Sequence, residues 1–239
     1  MSSSQVKQVI RKRVWDLMER EGIARFPRPV YDRIPNFEGA EMTAIRLIEL
    51  DAFKRARTVK VNPDAPQQSV REKALSSGKR LLMPTPRLRQ GFILLEPNAI
   101  PNSKIRYAST IRGSFEYGKI VELDGLPKVD LVVVGSVAVT PNGTRLGKGG
   151  GYSEIEYAVL RQLGLVDNAT PVATTVHDAQ VISDEIPLES HDLIVDIIVT
   201  PTRTIVTGSR ASKPSGIIWK KVGEKMRKEI PILRSLESS

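Results

Sequence analysis

Short apolar runs, each bounded by turn residues, limit this chain to a narrow set of folds. They are Leu81–Met83, Phe92–Leu95, Leu131–Val139, Pro171–Val176 and Leu193–Thr200. Val, Ile and Leu dominate them, which is the pattern of strands buried on both faces. The longest, Leu131–Val139, contains Gly135 and Ser136 and is far too short to span a membrane. Val59-Lys60-Val61 reads as a further short strand, closed by an Asn62-Pro63-Asp64 turn. Helical patterns alternate with these runs. Residues 5–21 carry Val6, Val9, Ile10, Val14, Leu17 and Met18 at three- and four-residue steps, with Ser2–Ser4 as candidate caps. Residues 41–56 and 69–77 follow, and Ile155–Leu163 makes a helix after a glycine-rich turn. Strands alternating with helices predict an α/β layered fold with a mainly parallel sheet.

Composition narrows the chemistry. The chain has no cysteine, which excludes disulfides, thiolate metal sites and cysteine nucleophiles. Its two histidines, His177 and His191, cannot build a histidine-rich metal cage. The N-terminus lacks the apolar core of a signal peptide, so a soluble, cytoplasmic protein without membrane contact is expected. The net charge of +9 is uneven: residues 1–33 carry +4, residues 213–239 carry +4, and the centre is nearly neutral. Such ends suit anionic partners. Within the tail, Lys220, Lys221, Lys225, Arg227 and Lys228 surround Trp219. That pattern is compatible with nucleic acid, but a packed helix with a basic outer face explains it better.

The chemistry concentrates in residues 129–163. A buried strand ends at Pro141-Asn142-Gly143, and Arg145-Leu-Gly147-Lys148-Gly149-Gly150-Gly151-Tyr152 then opens a helix. Glycines let backbone N–H groups approach an anion, and a helix N-terminus favours negative charge. Arg145 and Lys148 add cations at the same place. The spacing fits neither a Walker A loop nor a dinucleotide fingerprint.

Arg145-Leu-Gly-Lys-Gly-Gly-Gly-Tyr152 resembles the Arg-Leu-Gly-x-Gly-Gly-Gly-Tyr-Tyr-Asp hallmark of the 5-formyltetrahydrofolate cyclo-ligase family. A second segment is similar to that family too: Gln180, Ile186-Pro187, Glu189, His191-Asp192, Val195-Asp196 and Val199-Thr200 fall in family order. So does Lys7-x-x-x-Arg11 at the front.

The resemblance implies a Rossmann-like three-layer sandwich over residues 1–212, with a helical N-terminal segment. Residues 213–239 are expected as a basic C-terminal helix. It also implies an ATP- and Mg²⁺-dependent enzyme that closes 5-formyltetrahydrofolate to 5,10-methenyltetrahydrofolate. By the same resemblance Lys7, Arg11, Gly147, Gly149, Gly150 and Gly151 hold ATP phosphates. Arg145, Lys148 and Tyr152 are the catalytic set, and Glu154 with Asp192 holds Mg²⁺. The chain departs from the hallmark at Tyr152-Ser153-Glu154, where the family has Tyr-Tyr-Asp, and Gly135-Ser136 replaces its Pro-Gly. Two other readings stay open: a non-catalytic member binding folate, nucleotide or RNA, and an ATP-dependent ligase for a different substrate.

Overall fold

The computed structural model describes residues 1–209 and 211–237. Arg210 in the expected 1–212 domain, and Ser238 and Ser239 in the expected extension, lie outside the described residues.

Helix α1 (Ser3–Arg20) starts on a capping box: Gln5 N–H donates to Ser2 Oγ at 3.3 Å, and Ser2 N–H to Gln5 Oε1 at 2.8 Å. Strands β1 (Ala24–Arg25) and β2 (Asn36–Phe37) form a small antiparallel ladder. The 41–56 helix divides into α2 (Ala40–Ile48) and α3 (Asp51–Arg55), because Leu50 is extended. Then come β3 (Thr58–Val61), α4 (Gln68–Ser76), β4 (Arg80–Pro84) and β5 (Phe92–Leu95). Helices α5 (Ile105–Ala108) and α6 (Ile111–Tyr117) and strand β6 (Lys119–Val121) had no counterpart in the sequence reading.

The Leu131–Val139 run is two strands, β7 (Leu131–Val134) and β8 (Ala138–Val139), the second paired with β9 (Arg145–Leu146). Gly135 lies at the break. A Cβ there would sit 2.6 Å from Ile34 Cγ2, so any larger residue would have to push Ile34 aside. Helix α7 (Tyr152–Gln162) leads to β10 (Val172–Thr175), β11 (Ile197–Val199) and β12 (Thr204–Val206). The expected C-terminal helix is two short ones, α8 (Glu224–Glu229) and α9 (Ile232–Glu237), because Pro231 cannot continue the first.

Eight strands make one sheet in the order β12-β11-β10-β7-β3-β4-β5-β6. The five from β11 to β4 are mutually parallel, and the flanking pairings are antiparallel. This is an α/β three-layer fold. Alternate residues serve opposite faces: Leu131 and Val133 pack with α2–α5, while Val132 and Val134 pack with α7 and the tail. The tail is part of that second core, through Ile217, Val222, Ile230, Leu233 and Leu236. Helix α1 and the two small ladders form a third cluster around Trp15 and Met18.

After β3 the chain moves to β4, and after β7 to β10, on opposite sides. The carboxyl ends of β3 and β7 therefore flank a topological switch point, where open α/β sheets place their ligands. Among the described residues no helix is long and apolar enough to cross a membrane.

Candidate active site

A cavity of about 1010 Å³ opens at that switch point. Its walls come from the Asn62–Asp64 turn, the 147–151 loop, the first turn of α7, and Lys7 and Arg11 of α1. All the residues expected from the sequence to act line it.

The loop is built to receive an anion. The amides of Gly149, Gly150 and Gly151 donate to no backbone carbonyl among the described residues. Gly149 (φ 97°) and Gly151 (φ 71°) are left-handed, and Gly151 caps α7. A Cβ on Gly149 would lie 3.3 Å from the Arg11 guanidinium carbon. Arg11 itself donates from Nε to the Gly147 carbonyl at 2.8 Å. Burial lowers its pKa from the ordinary value while Asp192 opposes the shift, and it remains a cation at neutral pH. Lys148 is half exposed, with Nζ 3.1 Å from Asp64 Oδ1.

The other expected residues are already engaged. Lys7 Nζ lies 2.6 Å from Asp192 Oδ2, which also accepts the Glu189 amide at 2.8 Å. Tyr152 OH is hydrogen-bonded to Glu229 of α8, and burial with that contact raises its pKa. Arg145, expected in the catalytic set, has a wholly buried side chain. It donates to the Gly135 carbonyl at 2.7 Å and the Leu193 carbonyl at 3.3 Å, and pairs with Glu154. Burial lowers its pKa to about 10. Among the described residues no group of three or more acidic or histidine side chains could cage a metal.

Four lining or supporting residues escaped the sequence reading: Lys60, Asn62, Arg71 and Glu156. Lys60 Nζ donates to Glu156 Oε2 at 2.6 Å and to Asn62 Oδ1 at 2.5 Å, all inside the protein. Burial pushes the Glu156 carboxyl above its usual range, against the Lys60 charge. A lysine between two valines of a buried strand was the available signal, since lysine is almost never fully buried unpaired.

The sequence pattern of the 5-formyltetrahydrofolate cyclo-ligase family matches residues 3–201. The chain belongs to this family. A methenyltetrahydrofolate synthase domain-containing protein of Bos taurus is 51% identical over 233 residues, covering 96% of this chain and 61% of that protein. Its namesake in Homo sapiens is 47% identical over 237 residues, covering 97% and 61%. The chain thus spans about three-fifths of the length of these relatives. The solution structure of the 5,10-methenyltetrahydrofolate synthetase of Aquifex aeolicus shares the fold. Its TM-score is 0.54 at 20% identity, covering 89% of this chain and 96% of that one. The cyclo-ligase pattern ends before the tail, so α8 and α9 lie beyond the matched residues.

Proposed function

We propose that this cyclo-ligase family member uses ATP and Mg²⁺ to convert 5-formyltetrahydrofolate to 5,10-methenyltetrahydrofolate. One observation carries the reading: a glycine loop, three of whose amides donate to no backbone carbonyl among the described residues, lines a large cavity at the switch point, beside Lys148 and Arg11. The cavity volume lies at the upper end for a single ligand, which suits two substrates side by side.

In this reaction the formyl oxygen attacks the γ-phosphorus and ADP leaves. The N10 amine then attacks the formyl carbon, the C–O bond to phosphate breaks, and the N10 proton passes to solvent. Such chemistry needs positioning and charge neutralisation more than a strong base. Lys148 and Arg11 neutralise phosphate charge, and the loop amides orient it. Arg145 acts from below as a positioning residue, fixing Glu154 and the strand end at Gly135. Tyr152 borders the folate side, held by Glu229.

Mg²⁺ commonly takes one or two carboxylates, with phosphate oxygens and water for the rest. Glu154 and Asp192 fit that role: each lines the cavity and has one oxygen committed to a cation or amide, leaving the other. The ion would supply charge neutralisation on the phosphate oxygens.

The test is direct. Protein, ATP, Mg²⁺ and 5-formyltetrahydrofolate are incubated, and the methenyl chromophore is followed by absorbance. Its appearance supports the reading, and its absence overturns it.

A second reading keeps the phosphate chemistry with a different formamide or carboxylate substrate. Ser153 favours it, since it stands where the family has tyrosine and its hydroxyl is taken by Asn62 at 2.8 Å. ADP release across a substrate panel separates the two. The tail gives the RNA-binding alternative less support. Trp219 is half buried under the Arg227 guanidinium, 5.6 Å from its centroid, so its ring is not free to stack.

A further inference from the structure

One turn reaches both ends of the glycine loop. Asn62 Nδ2 donates to Ser153 Oγ at 2.8 Å, just past the loop's exit into α7. Asp64 Oδ1 accepts Lys148 Nζ at 3.1 Å, on the loop's entry side. The two holding residues are separated only by Pro63, whose ring fixes φ.

The turn is itself pinned from inside. Lys60 donates to the Asn62 side chain at 2.5 Å. Arg71 donates to the carbonyls of Asn62 at 2.5 Å and Asp64 at 3.0 Å. Lys60 is 0% exposed and Arg71 2%. Two buried cations are costly unless partnered. Here much of their partnering is the turn, so the turn has little freedom to move.

We propose that the Asn62–Asp64 turn is the positioning element of the glycine loop. It holds the Lys148 side through Asp64 and the α7 side through Asn62. The amides of Gly149–Gly151 then face the cavity before a ligand arrives. This rests on reading the 147–151 loop as the phosphate site, where preorganised donors are worth most. Asp64 also holds Lys148 in the absence of ligand, so the lysine transfers only to a more highly charged partner. The site thereby favours polyphosphates over single carboxylates.

Two variants test this without disturbing the buried cations: Ser153→Ala releases the exit and Asp64→Ala the entry. Both leave the Asn62 side chain and the turn carbonyls in place for Lys60 and Arg71. Backbone ¹⁵N order parameters are measured on the full chain without ligand, since the 147–154 amides have no backbone partner among the described residues to protect them from exchange. Ser153→Ala is expected to lower them at residues 150–154, from about 0.85 toward about 0.6. Asp64→Ala should do so at 147–149. The β7 and β10 values should not change in either variant. ATP affinity should fall about three- to tenfold in Ser153→Ala, the worth of one hydrogen bond. Unchanged loop order parameters in both variants overturn the proposal. Lowered order parameters together with no ATP binding by the unmodified protein leave the clamp standing and overturn the nucleotide reading instead.

Discussion

Lys60 Nζ lies 2.6 Å from Glu156 Oε2, with the two side chains only 1% and 5% exposed. The pair joins the centre of the sheet to α7. Removing one partner of a buried pair strands the other charge and costs about 3–5 kcal/mol. Lys60→Met is therefore expected to lower stability by that amount in urea unfolding. Adding Glu156→Leu removes the stranded carboxylate, and the double variant should recover most of the loss. Equal stability of the single and double variants would refute the pairing.

His177 sets a pH dependence. It caps a short turn, its Nδ1 accepting the Ala179 amide at 3.1 Å, and that bond needs an unprotonated nitrogen. Burial lowers its pKa below the ordinary value of 6.5, with Asp178 and Glu38 opposing the shift. The unfolded chain then binds the proton first as pH falls. Stability contributed by His177 is complete above about pH 7.5, declines as pH drops through 6.5, and levels off below the folded pKa. Unfolding at pH 7.5 and 5.5 should show the decline, and His177→Asn, which can still cap, should reduce it. Identical pH slopes in the two proteins would sink the assignment.

Local pattern accounts for what was legible and what was not. The strands at 92–95 and 58–61, the α1 cap and the loop into α7 follow from nearest-neighbour chemistry, and the sequence displays them. Lys7 meets Asp192 across 185 positions, and Tyr152 meets Glu229 across 77. Periodicity holds no information about such partners. Arg145 looked like a phosphate ligand because it precedes a glycine loop, but its pairing with Glu154 and Gly135 appears only once β9 folds under that loop. Lys60 and Glu156 lie 96 positions apart and meet only once the sheet and α7 close over both.

The tail packs into the core shared with α7, which predicts that it unfolds together with the rest of the domain. Ile230 is 0% exposed and Leu233 1%, both in the core shared with α7. Leu233→Ala should cost about 2–5 kcal/mol, as for other fully buried large-to-small changes. Thermal unfolding should remain one transition, shifted as a whole. A tail that folds independently would instead give an early separate transition and leave the main midpoint in place.

Arg145 and Lys148 should part company under mutation. Lys148 is half exposed, and its side chain is ion-paired with Asp64. Lys148→Ala is expected to leave folding nearly unchanged and weaken ATP binding about tenfold or more, the scale of a charge-assisted hydrogen bond. Arg145 is buried with three partners, so Arg145→Ala strands Glu154 and two carbonyls. A loss of about 3–5 kcal/mol in stability is expected before any question of binding arises. Isothermal titration with ATP, paired with urea unfolding of each variant, separates the roles. Retained stability in Arg145→Ala with lost ATP binding would return that arginine to direct contact with phosphate.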